Sequence, residues 1–198
     1  FVLIASACGK SDGGRVTAAP AVATPAPEPE PQVSLDLCRA KASAKISESE
    51  FKMQLTSYGI EKNRSLFEAL SACSEANCYL KTRGDIVSAS FRLQLSSYGL
   101  QAYQPLLDAY ASCPAGDSLC LARATGDINA AYFRMELTSS GRRSFSPLFK
   151  AKDACASSDV NCFIKAGGDL AYAHFETQLD GPGRDFYRAR FEEYTSCQ

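Results

Sequence analysis

The sequence predicts an all-α domain of four tandem helical hairpins, each closed by a disulfide and stacked as a short solenoid or a compact bundle. Four pairs of cysteines carry this prediction, because the partners are 35 positions apart in every pair: Cys38 and Cys73, Cys78 and Cys113, Cys120 and Cys155, Cys162 and Cys197. Phe, Leu and Gly also recur at fixed distances from the first cysteine of each pair, at Phe51, Phe91, Phe133 and Phe175, Leu55, Leu95, Leu137 and Leu179, Gly59, Gly99, Gly141 and Gly183. Self-similarity at a fixed period of about 42 residues indicates a repeat architecture.

Each repeat contains the pattern of two helices joined by a short loop. In the second repeat, Ile86 and Leu93 fall on one helical stripe, and Phe91 and Leu95 fall on another. A helix that is apolar on two faces must be covered on two sides, here by its own partner helix and by the next repeat. Gly99 is predicted to end this helix as a left-handed C-cap.

The lengths of the two helices predict a break in the first one. An unbroken first helix would be about 30 Å long and the second about 18 Å, so the paired cysteines would not meet. The Gly-Asp steps at 84–85, 126–127 and 168–169 are therefore predicted to interrupt the first helix, with the aspartates as N-caps. Pro105 and Pro147 are predicted in the first turn of the second helix.

The eight repeat cysteines predict four disulfides and an oxidising compartment, because they are even in number and regularly spaced. Two pairings fit. Pairing within each repeat is favoured because the spacing of 35 is constant, whereas the gaps between repeats are 5, 7 and 7. Pairing between neighbours would join Cys73 to Cys78, Cys113 to Cys120 and Cys155 to Cys162, and would leave Cys38 to Cys197. Spacing alone does not decide between them.

The first eight residues form a short apolar run that ends in small residues before a cysteine. The stretch Ala5-Ser6-Ala7-Cys8 resembles the lipobox of bacterial lipoproteins, with Ala5 where Leu is usual. The resemblance implies that residues 1–7 are the end of a signal peptide and that Cys8 becomes the lipid-modified first residue. Gly9 rather than Asp follows the cysteine, and in this the sequence resembles lipoproteins that are sorted to the outer membrane. The resemblance implies a domain that faces the periplasm.

Residues 8–33 are predicted to be a disordered Pro/Ala/Glu tether that precedes a four-repeat domain at 34–198. Five prolines in this stretch exclude helix and sheet ladders, at Pro20, Pro25, Pro27, Pro29 and Pro31. Such a segment acts as a semi-rigid spacer, so it would hold the folded domain away from the membrane surface.

Several functional classes find no support in the sequence. The formal net charge of −1 does not indicate nucleic-acid binding. Cysteines without C-x-x-C spacing and the single His174 predict no metal site and no cofactor. His174 takes the position held by Glu50, Ser90 and Tyr132 in the other repeats, and this variability predicts that it is exposed or half-exposed. With no nucleophile or orienting partner evident for it, we predict no catalytic residue and no enzymatic activity.

Arg83-Gly84-Asp85 spells an adhesion tripeptide, but the same position has Thr-Gly-Asp and Gly-Gly-Asp in the next repeats. The Gly-Asp step is therefore predicted to be structural, with Arg83 incidental to it.

A concentration of basic residues in the second helices of repeats 3 and 4 predicts a surface for an acidic protein partner. Its members are Arg142, Arg143, Lys150, Lys152, Arg184, Arg188 and Arg190. The resulting hypothesis is a non-enzymatic, lipid-anchored periplasmic protein-binding module, such as an inhibitor or immunity protein. The alternative is a structural envelope lipoprotein that self-associates or joins an outer-membrane complex.

Overall fold

A computed structural model describes residues 36–197, and the regular structure in this range is entirely helical. The ten helices are α1 (Leu37–Gln54), α2 (Ser57–Lys62), α3 (Arg64–Ser71), α4 (Ala76–Gln94), α5 (Ser97–Ala111), α6 (Ser118–Glu136), α7 (Ser139–Ser144), α8 (Ser146–Asp153), α9 (Val160–Thr177) and α10 (Gly181–Thr195). The predicted all-α class is confirmed. The predictions for the signal peptide, Cys8 and the tether lie outside the described residues.

The four long helices α1, α4, α6 and α9 form the centre of the domain, and we call them the core helices. Helix α1 packs against α4 and α9, and α6 packs against the same two helices. The core helices therefore close into a four-helix bundle, rather than an open solenoid in which the first and last repeats would not meet. They run parallel, because residues at the same position in different repeats meet side by side, as His174 does with Glu50.

The remaining helices return along the outside of the bundle, and we call them the arms. Arm 1 is α2 with α3, arm 2 is α5, arm 3 is α7 with α8, and arm 4 is α10. Each arm packs on the core helix of the next repeat: α3 on α4, α5 on α6, α8 on α9 and α10 on α1. Repeat 4 thus covers the first helix of repeat 1, and the chain closes on itself.

The disulfides join neighbouring repeats, so the favoured pairing within repeats was wrong. The bonds are Cys73–Cys78, Cys113–Cys120, Cys155–Cys162 and Cys38–Cys197. The physical reason is the packing of each arm on the following core helix, which brings the cysteine at the end of the arm beside the next repeat's first cysteine. In the chain-entropy description, the 159-residue loop of Cys38–Cys197 contributes about 5 kcal/mol and the short loop of Cys73–Cys78 about 2 kcal/mol.

The predicted break at the Gly-Asp steps is also wrong, since α4, α6 and α9 run without interruption through them. Gly84 instead makes room for the ring of Tyr110, because a Cβ on Gly84 would lie 2.2 Å from its Cε2 atom. The Tyr110 hydroxyl donates to the Lys81 carbonyl at 2.7 Å and to Asp85 Oδ1 at 2.9 Å. We call this arrangement the tyrosine clasp, and it holds an arm to the core helix of its own repeat.

The two residues that form the clasp, one from the arm and one from the core helix, stay matched among the repeats. Repeat 4 has the same arrangement, with the Tyr194 hydroxyl 2.7 Å from Asp169 Oδ1. Repeat 3 has Lys152 in place of the tyrosine, and its ammonium group donates to Asp127. Repeat 1 has Leu70 at the tyrosine position and Ala44 and Lys45 at the Gly-Asp positions. The polar arm residue and the aspartate are thus present together or absent together.

The turn between a core helix and its arm is built alike in every repeat, and we call this end of the bundle the tip end. Gly99 lies in the first turn of α5 and donates its N–H to the Ser96 side chain at 3.2 Å, so it is not the predicted C-cap. Thr56, Thr138 and Asp180 cap the other arms in the same way. Pro105 lies within α5, whereas Pro147 is in the first turn of α8, as predicted. The opposite end, with the four disulfides, is the cystine end.

We predict that Gly84→Ala destabilises the oxidised protein by about 1–3 kcal/mol, because the new methyl group overlaps the Tyr110 ring and forces it away. Urea-induced unfolding measures the free energy. Gly126→Ala is the matched control, since its Cβ would lie 3.6 Å from Lys152 Cδ, an ordinary contact. The control should be neutral or slightly stabilising through helix propensity. Equal effects of the two substitutions would contradict the clasp.

Candidate functional site

The parallel core helices bring equivalent positions of the four repeats together along the bundle axis. The inward positions follow the repeat's first cysteine by 2, 5, 9, 12 and 16 residues, an alternation of three and four that is typical of a coiled-coil seam. In the two layers nearest the tip end every side chain carries a polar group, and we call these two layers the polar axis. Its members are Glu50, Ser90, Tyr132 and His174, followed by Gln54, Gln94, Glu136 and Gln178.

His174 lies at the centre of the polar axis with 2% of its surface exposed. Its Nδ1 is 2.9 Å from Glu50 Oε1, and its Nε2 is 2.8 Å from Glu136 Oε2. Burial by itself lowers the pKa of His174, but the charge of Glu50 and the hydrogen bond to Glu136 outweigh burial and raise the pKa to about 9. At neutral pH the ring is therefore an imidazolium that donates from both nitrogens. It has no lone pair free to accept a proton from a substrate.

Hydrogen bonds connect the rest of the polar axis. Ser90 Oγ donates to Gln54 Oε1 at 2.9 Å, and Gln54 Nε2 donates to the Tyr132 hydroxyl at 2.9 Å. Burial raises the pKa of Tyr132 well above its ordinary value. Gln178 Nε2 donates to Glu136 Oε2 at 3.1 Å. Satisfied networks of this kind are rigid, because leaving a buried polar group without its partner would destabilise the folded state.

The prediction that His174 is exposed was wrong, and the closed bundle explains why. Glu50, Ser90 and Tyr132 are all buried beside it or near it. In a ring of repeats, equivalent positions pack against one another, so they must be complementary rather than identical. Variation among repeats at this position therefore indicates mutual contact. The sequence signal that could have revealed it is the opposite charge of Glu50 and His174 at the same position of repeats 1 and 4.

Arg83 also contacts the equivalent position of another repeat, deeper in the bundle. It is therefore not incidental to the fold, contrary to the prediction from the sequence. It is fully buried, and its Nη2 donates to the Gly167 carbonyl at 2.6 Å. Gly167 holds the equivalent position in repeat 4, so the guanidinium group lies against the backbone there. Burial lowers the pKa of Arg83 to about 10, opposed by the charge of Glu50, so the group stays positive at neutral pH.

Large apolar side chains are exposed mainly at the tip end. Seven are exposed within residues 36–197, and six of these lie in the last turn of a core helix or the first two turns of an arm. We call these six the tip surface: Met53, Tyr58, Ile60, Leu93, Tyr98 and Phe186. The exposed fractions of Tyr58, Tyr98 and Phe186 are 78%, 81% and 79%. The seventh, Leu37, lies at the cystine end.

The structure divides the predicted basic surface. Lys152 is buried against Asp127, so it does not belong to a solvent-facing patch. Arg188 pairs with Asp185, and Arg190 pairs with Glu193. The other four members are exposed: Arg142, Arg143, Lys150 and Arg184. Of these, Arg142 and Lys150 line one surface groove of arm 3.

The described residues contain no cluster of three or more His, Cys, Asp and Glu side chains arranged to hold a metal ion. Within the same range, no helix combines the length and the apolar character needed to cross a membrane. No protein-family model, curated protein or solved structure shows a significant match to the chain.

We predict that stability falls as the pH rises from about 6.5 to 9. The pKa of His174 is raised in the folded state, so its contribution is complete below pH 6.5, the ordinary value, and is lost as the pH passes 9. The loss should be about 3 kcal/mol, measured as the free energy of unfolding in urea across this range. In His174→Gln the stability should be lower at pH 6.5 and the slope above it should be absent. A wild-type slope in this variant would contradict the assignment.

Proposed function

We propose that the chain is a non-enzymatic protein-binding module, held to the outer membrane by lipid on Cys8 and exposed to the periplasm. The tip surface is the observation that carries the proposal. Monomeric soluble proteins rarely expose large apolar side chains in one region, and such regions are typical of protein interfaces. Tyrosine and phenylalanine are also enriched at interfaces, since a ring contributes a large contact area with few torsions to fix.

The order of the arms around the bundle gives the surface its extent. Arms 4, 1 and 2 are neighbours, and they present Phe186, Tyr58 and Tyr98 in that order. Arm 3 completes the ring, and its first helix presents Arg142 and Arg143 to solvent at the same end. The tip end thus combines an apolar sector with a basic one. An acidic partner with an apolar centre fits this combination, because the charges would accelerate association and the apolar contacts would retain the partner.

The disulfides at the cystine end suit an oxidising compartment such as the periplasm.

The polar axis supports binding rather than catalysis. A general base needs a nitrogen or oxygen that can accept a proton at the working pH. Both nitrogens of His174 are committed to Glu50 and Glu136, and its pKa of about 9 keeps it protonated. A rigid, charged centre of this kind suits a scaffold whose surface residues bind a partner protein. A toxin or lytic enzyme of the periplasm is the class of partner that we propose.

We predict that Tyr58→Ser with Tyr98→Ser abolishes partner binding and leaves the melting temperature unchanged, because both side chains are exposed. The measurement is affinity capture by the detergent-solubilised full chain, followed by quantitative binding of the purified partner. Leu37→Ser is the matched control, since it removes an exposed apolar side chain at the opposite end. Its affinity should equal that of the wild type.

Two results would contradict this proposal. One is a stoichiometric partner that binds the tyrosine variant as tightly as it binds the wild type. The other is self-association of the purified wild type through the tip surface with no other partner, seen by sedimentation, which would favour the structural envelope alternative.

A further inference from the structure

A second, independent feature is a groove over α4, between arm 1 and arm 2. Its volume is about 470 Å³, within the range of small-molecule sites. Apolar side chains from both arms form its walls, among them Leu66 and Leu107, and the polar groups of Lys81, Asp85, Ser88 and Arg92 lie along α4.

The same groove exists over α9 in repeat 4, with a smaller volume of about 310 Å³. Four lining positions carry the same residue type in both grooves: Leu66 and Leu148, Asp85 and Asp169, Ala89 and Ala173, Tyr110 and Tyr194. The tyrosine clasp is also common to both. The two grooves are therefore versions of one structure, and their differences can be compared position by position.

The first difference is an aromatic ring. Repeat 4 has Tyr172 in the groove, with its ring edge-on to Phe191 at 4.9 Å and tilted against Tyr194 at 5.7 Å. Repeat 2 has Ser88 at this position. Ser88 is 9% exposed, and its hydroxyl oxygen is buried without a hydrogen-bond partner. The small Ser88 side chain therefore leaves the groove over α4 without the ring that Tyr172 supplies in repeat 4, and this groove is the larger of the two.

The second difference is the charge. The position four residues further along the helix is Glu176 in repeat 4 and Arg92 in repeat 2. Lys81 pairs with Asp85 at 2.6 Å, so these two charges balance each other. Arg92 makes no ion pair with any residue in the 36–197 range. It is thus the unbalanced charge of the groove, and it is positive.

We propose that the groove over α4 binds an aromatic carboxylate. The ring would occupy the space that Tyr172 fills in repeat 4, between the apolar walls and the Tyr110 ring. The carboxylate would pair with Arg92. A free aromatic acid and the C-terminal aromatic residue of a peptide both present this chemistry.

The test uses the oxidised full chain and three probes: 3-phenylpropionate, a short peptide ending in a free C-terminal Phe, and the same peptide amidated. Methyl NMR signals of Leu66 and Leu107, both groove-lining residues, report binding. The expected result is saturable binding with a Kd of about 1 mM or tighter for a carboxylate probe, and at least about tenfold weaker binding of the amide. Stronger binding of the peptide acid than of the free acid assigns the ligand to a peptide, and the reverse order assigns it to a small molecule.

Two substitutions test the two parts of the site. Ser88→Tyr supplies the ring that repeat 4 has, so it should fill the groove and abolish binding without lowering stability. Arg92→Glu should weaken binding at least about tenfold, and because Arg92 is exposed it should not affect folding. Arg134→Glu, at the equivalent position of repeat 3, is the control and should bind as the wild type does. Failure of every probe to saturate, or unchanged binding in Arg92→Glu, would overturn the proposal. Neither result bears on the tip surface.

Discussion

The contact between the first and last repeats determines the rest of the structure. Helix α10 packs on α1, and Cys38–Cys197 fixes the two ends of the domain together. Four similar hairpins could otherwise stack as an open row, in which every repeat would have equivalent neighbours and the outer two would need caps. Closure removes both open ends. It also brings the four core helices onto a single axis, which an open stack would not have.

That axis explains why the repeats differ where they do. Positions that face the arms can be conserved among repeats, and the four Phe side chains at 51, 91, 133 and 175 are all fully buried. Positions on the axis meet their own equivalents, so four large or four charged residues would clash or repel. The chain places Arg83 opposite Gly167, and His174 between Glu50 and Glu136. Buried charges of this kind add little net stability, but breaking one pair is costly, which favours a single register of the helices.

Sequence reasoning recovered the features that are local and periodic. The helical class and the set of eight paired cysteines follow from periodicity and spacing, and all eight form disulfides. The partner of each cysteine did not follow, because spacing of 35 residues describes similarity between repeats and not proximity within one. The break predicted at Gly84 came from the same assumption. Once the arm packs on the next helix, the unequal lengths of core helix and arm no longer conflict, and the glycine is required by the Tyr110 ring instead.

The polar axis and the groove over α4 were not predictable by inspecting repeats one at a time. His174 and Glu50 belong to repeats 4 and 1, and only the closed arrangement places them 2.9 Å apart. The space that an aromatic ring could take beside Ser88 becomes visible only by comparison with Tyr172 in the equivalent groove. The tip surface was not predicted either, because the exposure of Tyr58 and Tyr98 depends on the turns capped by Thr56 and Ser96.

Peptide mapping without reduction tests the closed arrangement most directly. Trypsin cuts after Arg39 and after Arg190, so it releases Cys38 and Cys197 on separate peptides, the latter spanning 191–198. Cys73 and Cys78 remain together on the peptide 65–81. The account predicts a disulfide between the peptide that ends at Arg39 and the peptide 191–198. A link from Cys38 to the peptide 65–81 would contradict it, because that bond belongs to hairpins closed within each repeat.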